Sequence, residues 1–457
     1  MSDLTSNLTY ESHSLAHSGT RLGGLEKAAL AFVALGLLLL TAALFGASAQ
    51  MPESTRAIWL AVAWVSIAGG GLTFGLHKHL SDKPGIRNAR KTTDSLTARG
   101  AWGWSLAIVL TSFYIVLYWF PGLLEGLIRL HDPLSQFLRG KAADQWFVYG
   151  TFYTVAILVM GTKAIAKYRH SRYQILRISV IMITQLGFAY LLPAIFVKLN
   201  QPEVYLSYLW PLAYDKLFPG TLDQFLKAGN IGYFIVGWFV VGTFLAAPVL
   251  TYFYGKRWYC SWVCGCGGLA NTAGDSFRQN SDKSLKSWKI ERWMIHSVLV
   301  VIVVLTTLLW FESVMPDALK GPVYLLRQWY GFLIGAAFAG VIGVGFYPLM
   351  GTRVWCRFGC PMAAILGLLQ RFNSRFRITT NGAQCISCGN CSKYCEMGID
   401  VRHYAQRGQN IIRASCVGCG LCAAVCPRGV LSLENGPTSG RYNNDGGLSL
   451  LEERKAI

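Results

Sequence analysis

"GKRWYCSWVCG" at residues 255–265 returns as "GTRVWCRFGCP" at residues 351–361. Both read G-x-R-x-x-C-x3-C. Gly255 falls on Gly351, Arg257 on Arg353, Cys260 on Cys356 and Cys264 on Cys360. Each copy closes a long apolar run, so the pair reads as an internal repeat. Repeats in membrane proteins often place a site at their interface. Residues four apart on a helix share a face, so each copy is expected to aim two thiols one way and the two copies to offer four sulfurs together. Cys266 has no counterpart in the second copy.

The runs around the repeat decide the fold class. Apolar residues make up 53% of the 457-residue chain and charged residues 14%, against about 25% charged in a soluble domain. Runs of about 20 apolar residues, the length that crosses a bilayer, recur. Eight spans are expected: Ala28–Ala47, Ala57–Leu76, Ala101–Leu124, Trp146–Thr162, Ile178–Val197, Ile231–Tyr254, Trp293–Phe311 and Gln328–Met350. None contains Asp, Glu, Lys or Arg. The expected fold is an α-helical multi-pass membrane protein with a C-terminal α+β ferredoxin-like domain. The expected organisation is a polar N-terminus (1–24), spans 1–5 (25–230), spans 6–8 with the repeat (231–380), a cysteine-rich domain (381–435) and a Gly/Asn-rich, mobile tail (436–457).

A net charge of +19 invites a nucleic-acid reading. Its distribution excludes one. Loops 77–100, 163–177 and 253–292 hold 6, 5 and 7 Lys/Arg, while the alternating loops 47–56, 121–146, 198–230 and 312–328 hold 1, 3, 3 and 2. The positive-inside rule puts the first set in the cytoplasm. Both termini, both C-x3-C copies and the cysteine-rich domain then lie on that side, in what is expected to be a bacterial inner membrane. "FGASAQ" (45–50) carries an A-x-A pattern, so span 1 also admits a signal-peptide reading. The polar residues before it and its long apolar run argue for a span.

Cytoplasmic cysteines form few structural disulfides; grouped ones bind metal. "CISCGNCSKYC" places Cys385, Cys388, Cys391 and Cys395 in C-x2-C-x2-C-x3-C, and "CVGCGLCAAVCP" repeats it with Cys416, Cys419, Cys422 and Cys426. This is the bacterial two-cluster pattern, in which the fourth cysteine of each run ligates the other cluster. One [4Fe–4S] is expected on Cys385, Cys388, Cys391 and Cys426, the other on Cys416, Cys419, Cys422 and Cys395. Zinc sites use cysteine pairs rather than triplets with an outlier. Glu396 stands where proline often follows the fourth cysteine. It is expected to alter the turn and not the ligands. The domain carries five Lys/Arg and three Asp/Glu, a mild basic excess that suits anionic lipid or an acidic partner, or is surface scatter.

For Cys260, Cys264, Cys356 and Cys360 three readings stand open. They are a shared metal or iron–sulfur centre, a redox-active thiol pair resolved by Cys266, or structural cysteines at helix ends. The nearby arginines are expected to lower the thiol pKa values.

Spans ending in paired C-x3-C(P) motifs, followed by a double-cluster ferredoxin, resemble the NapH/NosR/CcoG-like membrane polyferredoxins. The resemblance covers roughly residues 231–434 and departs at Gly265, where the family pattern has proline. It implies electron transfer between membrane quinol or quinone and a partner redox protein, or electron supply during maturation of another oxidoreductase. A scaffold that docks a soluble redox enzyme is a third reading.

The expected partners are therefore membrane lipid, the quinone pool and a redox protein. Span carboxylates, which would mark a proton pump, are absent from the sequence. His296 in span 7 reads as packing or as a quinone or haem contact. His77 and His79, two apart on one helix end, cannot clamp one haem and read as interfacial. Gln185 and Pro193 read as packing or as the wall of a pocket. Trp and Tyr near span ends ("WYC", "RQWY", "YWFPG") read as interface belts. The outer segments 121–146 and 199–230 read as lying on the membrane or docking a partner.

Overall fold

The computed structural model describes residues 23–48, 51–80 and 100–438, with the side chains of 316–319 set aside. The polar N-terminus, most of the basic loop 77–100 and tail residues 439–457 lie outside the described residues.

Among the described residues eight helices are long and apolar enough to cross a membrane: α1 (Gly24–Leu44), α2 (Glu53–Leu80), α3 (Ala101–Trp119), α4 (Gln145–Lys167), α5 (Arg172–Lys198), α6 (Asn230–Tyr254), α7 (Leu285–Val314) and α8 (Lys320–Gly345). They coincide with the eight expected spans. Several run past the apolar stretch and gain charges at their ends. Glu26 of α1 and Lys78 of α2 pair there at 3.4 Å, with His77 Nδ1 3.6 Å from the same carboxylate. Large apolar side chains such as Phe32, Leu38, Val65 and Trp293 point outward. Around a membrane bundle, lipid solvates that surface as well as the interior does.

Three spans widen: α5 and α6 by one turn, at Gly187–Leu191 and Gly242–Ala246, and α8 over Gly331–Ile342. In α5 and α6 a proline, Pro193 or Pro248, is close behind. A proline ring clashes with the carbonyl of the preceding turn and donates no hydrogen bond, and a π-turn absorbs the mismatch.

The segment between α5 and α6 does not lie on the membrane surface. Val204, Leu206, Leu209 and Trp210 are buried in the same core as Cys260, Cys264, Cys356 and Cys360. Tyr259 of "WYC" is no belt residue either. It is buried, donates to the Ser207 carbonyl at 2.9 Å and accepts from the Leu209 amide at 3.2 Å. Four apolar side chains in a polar-looking loop are worth more inside than at an interface. Segment 121–146 folds into short helices whose Leu127, Leu130 and His131 are buried.

After α8 an amphipathic helix, α9 (Pro361–Asn373), leads to the cysteine-rich domain. Strand β1 (Phe376–Thr380) pairs antiparallel with β2 (Leu431–Asn435), with Phe376 opposite Asn435. Short helical turns at Asn390–Lys393 and Leu421–Ala424 carry the two cysteine runs in matching places. Gly389 and Gly420 precede them with φ of 76° and 70°.

Candidate functional site

The repeat is structural as well as sequential. Gly255 (φ 67°, ψ 179°) and Gly351 (φ 88°, ψ 175°) occupy a backbone region that essentially only glycine enters. The chain then makes a short helical turn, Trp258–Val263 or Val354–Phe358, that carries the first cysteine. The second cysteine is extended and caps a new helix, Gly265–Asn271 or α9. Its amide closes the turn identically in both copies. Cys264 N–H donates to Tyr259 O and Cys360 N–H to Trp355 O, each at 2.9 Å. The expectation that each pair lies on one continuous helix is therefore corrected. The helix breaks at the second cysteine, which frees that thiol to face amide donors of the next turn. Cys360 Sγ accepts from the Ala363 amide at 3.4 Å, and the Cys264 thiol faces the corresponding Gly267 amide.

The two copies converge. Cys260, Cys264, Cys356 and Cys360 are all buried in one cluster, and each thiol interacts electrostatically with at least two of the others. Cys266 joins them. Its thiol hydrogen-bonds Cys264, and this, with amide donors, holds Cys264 down at about 7. The other thiols behave differently. Burial pushes Cys260 up to about 12 and raises Cys356 and Cys360. Arg353 donates to Cys356 Sγ at 3.6 Å and favours its thiolate, but desolvation outweighs it. The expectation of arginine-lowered thiols is thus corrected for Cys260, Cys356 and Cys360, where burial prevails, while at Cys264 Arg353 is one of the groups that lower it.

Arg257 and Arg353, equivalent in the repeat, do different work. Arg257 sits over the rings of Phe376 (4.8 Å) and Tyr173 (5.7 Å). Arg353 donates to the Cys260 carbonyl at 3.0 Å and to Glu396 at 2.9 Å. Glu396 is fully buried and also pairs with Arg278, which pairs in turn with Asp275, the partner of Lys167. Burial raises the Glu396 pKa, yet Arg278 and Arg353 more than offset it and hold the carboxyl at about 2. The residue that replaces a turn proline is an ionic pin between the ferredoxin run and the C-x3-C site. Lys167, Arg177, Lys256, Arg257 and Arg278, cations of the basic loops, are all buried. Part of the loop charge therefore holds the site together.

The second cysteine run docks on the membrane part through its carbonyls. Tyr173 donates to Gly418 O (2.7 Å), Gln174 to Cys419 O (2.9 Å), Ser261 to Val417 O (2.7 Å) and Gln370 to Cys416 O (2.8 Å). α5 thus supplies two of these four donors. Cys416, Cys419 and Cys422 stand together with Cys395, carried over from the first run. Cys385, Cys388 and Cys391 line one small cavity with Cys426, carried over from the second. All thirteen cysteines are free thiols. Among the described residues no three His, Cys, Asp or Glu side chains close about a single metal ion.

Gly265 stands where the second copy has Pro361. A Cβ there would lie 2.5 Å from the Tyr208 hydroxyl, 3.4 Å from Gln185 Oε1 and 3.6 Å from the Tyr153 ring. Gln185 donates to Thr154 at 3.0 Å, while its Oε1 is buried without a hydrogen bond. In the sequence Gln185 is open to reading as a pocket wall; the phenols of Tyr153 and Tyr208 beside Gly265 come from distant elements and carry no local signal. His296 Nδ1 donates to its own helix at Arg292 O (2.6 Å), and the ring lines a cavity with Lys256 and Cys356.

Eight spans and a two-run ferredoxin fold on one side of a paired thiol site define a multi-pass, ferredoxin-type membrane protein. The comparisons agree. The family model for a 4Fe-4S dicluster domain matches residues 379–433, and that for a 4Fe-4S binding domain matches twice, at 236–284 and 331–379. The chain is 26% identical over 201 residues to a putative electron transport protein, YccM, of Escherichia coli (strain K12), covering 40% of this chain and 56% of YccM. It is 28% identical over 203 residues to the methylamine utilization ferredoxin-type protein MauN of Paracoccus denitrificans, covering 40% of this chain and 69% of MauN. To the ferredoxin-type protein NapH of Escherichia coli (strain K12) it is 30% identical over 155 residues, covering 33% and 52%. The matches thus span between about half and two thirds of these relatives' lengths. No solved structure matches. The resemblance to NapH-like polyferredoxins, read from the paired motifs, is borne out.

Proposed function

We propose that this chain is an integral-membrane electron-transfer protein that passes electrons between membrane quinol and a partner redox protein on the cytoplasmic face. The observation that carries the reading is a graded series of three cysteine sets. The C-x3-C set is innermost, with all four thiols buried. The set Cys416, Cys419, Cys422 and Cys395 comes next. Lys256 acts on both Cys260 and Cys416, and Arg353 joins Cys356 to the residue beside Cys395. The set Cys385, Cys388, Cys391 and Cys426 is outermost; Cys391 neighbours Cys422, and Cys388 is exposed.

We assign a [4Fe–4S] cluster to each ferredoxin set and a third iron–sulfur centre to Cys260, Cys264, Cys356 and Cys360, with Cys266 as a neighbouring donor. When bound, such clusters supply one-electron steps over a wide range of potentials. The residues around them do the rest. Buried surroundings exclude water, and Arg353, Lys256 and the amide caps favour negative charge on sulfur. Quinol oxidation gives two electrons and two protons, and a one-electron chain takes the electrons singly. Both termini lie in the cytoplasm of a bacterial inner membrane on this reading.

The test is iron and sulfide counting with EPR on wild type and a Cys260→Ser/Cys356→Ser variant, with quinol added as reductant. Loss of one centre with both ferredoxin signals retained is expected, as is quinol-dependent reduction in wild type. Unchanged iron content in the variant sinks the third centre. Failure of any quinol to reduce the clusters sinks the quinol reading.

A further inference from the structure

A cavity of about 300 Å³ opens where α7, α9 and the loop before Cys416 meet. α7 turns one face to it, with Trp288, Arg292 and His296 at four-residue spacing. α9 turns Ala364, Leu368 and Phe372, again four apart. Small residues at 363 and 364 leave the space open. The floor is made by Cys356 of the C-x3-C set and by Lys256.

Lys256 is the informative residue. It is 1% exposed, and the hydrogen bond its ammonium makes is a long one, 3.5 Å to the Ala363 carbonyl. An ammonium has three donors, and a buried charge is costly unless it is hydrogen-bonded. It therefore holds donor capacity at the cavity floor. At the wall, His296 uses Nδ1 toward Arg292 O. That contact fixes the proton on Nδ1 and leaves Nε2 as an acceptor. The cavity thus offers a donor, Lys256, and an acceptor, His296 Nε2. Trp288 is held in the wall under the guanidiniums of Arg292 (5.0 Å) and Arg413 (4.9 Å). Among the lining residues Phe372 is 68% exposed, an apolar side chain that leads outward from the cavity.

We propose that this cavity is the quinone/quinol site, with one ring oxygen of the head group accepting from Lys256, the other, as the quinol hydroxyl, donating to His296 Nε2, and the isoprenoid tail leaving past Phe372. A quinol ring carries one oxygen that can accept from the floor ammonium and a hydroxyl that can donate to the wall imidazole. The Cys356 floor puts the ring against the innermost thiol set. The proposal rests on the electron-transfer reading and names the place where that reading's lipid-soluble substrate binds.

The test uses the full chain in phosphatidylcholine nanodiscs. A photoreactive azido-quinone is expected to label peptides containing Leu368 or Met397, with decylubiquinone competing. Leu368→Trp fills the cavity from its rim, and Lys256→Met removes the floor donor. Each is expected to weaken decylubiquinone binding about tenfold or more. Dithionite-reduced EPR signals of the ferredoxin sets should stay unchanged in Leu368→Trp, which shows that the fold is intact. Label confined to other peptides overturns the site, as does wild-type affinity in both variants. So does label displaced by phosphatidylglycerol and not by decylubiquinone. Quinol reduction of the clusters is followed in the same samples. Reduction that persists in Leu368→Trp overturns the cavity and leaves the electron-transfer reading standing. Quinone bound in the cavity of a wild type that no quinol reduces supports the site and overturns that reading.

Discussion

Replacing Glu396 with glutamine tests how the ferredoxin run is fastened to the membrane site. Glu396 is 1% exposed and accepts from Arg278 and Arg353, two guanidiniums that are themselves buried. Its pKa is held at about 2 against an ordinary 4.5. The folded value lies below the unfolded one, so the contribution is fully present above about pH 4.5 and is lost as pH falls through about 2. At neutral pH the whole of it acts. At about 1.4 kcal/mol per pKa unit, the shift corresponds to about 3 kcal/mol. Breaking a buried ion pair from one side costs a similar amount, about 3–5 kcal/mol. Glutamine preserves shape and one acceptor, so the loss is expected near the lower figure. Arg278 keeps Asp275 at 2.8 Å, and Arg353 keeps the Cys260 carbonyl at 3.0 Å. The assay is native-state proteolysis across a urea series, read at cleavages within residues 381–435. Glu396→Gln should raise the open population of this region about a hundredfold. Addition of Arg353→Met should recover part of the loss, since it removes one stranded charge. A change below about 0.5 kcal/mol, the scale of an ordinary surface substitution, would refute the pin.

Arg353→Met also removes a cation from Cys356 Sγ, so the innermost centre should become harder to reduce. A redox titration followed by EPR should show its midpoint about 60–120 mV lower, with the outer ferredoxin signal unmoved. Gly351→Ala forces a Cβ within 2.3 Å of Ser281 Oγ at a φ of 88°. It should cost about 1–3 kcal/mol, seen as a lower thermal midpoint in detergent, and Gly255→Ala should behave alike. Cys426→Ser lies in the second run, yet it should abolish the outer cluster and spare the one on Cys416, Cys419 and Cys422. Iron counting with EPR checks this, and loss of the inner ferredoxin signal instead would contradict the crossed pairing.

Much of the architecture was legible because its signals are local. Eight apolar runs specify eight spans, since a helix crossing lipid must satisfy its backbone internally. C-x2-C-x2-C brings three thiols together within seven residues whatever the rest of the chain does. The C-x3-C repeat revealed a second site, but its geometry was misread. Four-residue spacing promised one helix face, whereas the break at Cys264 and Cys360 follows from amide donors in the next turn. The arginine effect on thiols was misjudged for a related reason. Proximity in sequence predicts the Coulomb attraction, and burial, which opposes it, is a property of the folded core.

The chain's own sequence determined the spans, the two cysteine runs and the existence of a repeated thiol site, because each depends on residues a few positions apart. Tertiary structure alone decided that Glu396 pins Arg353 to Arg278, that Tyr173 and Gln174 of α5 hold the second run, and that Cys266 lies beside Cys264 against Tyr208. Those contacts join residues up to 245 positions apart. Desolvation and packing select them only once the bundle has closed, and no short window of sequence contains that information.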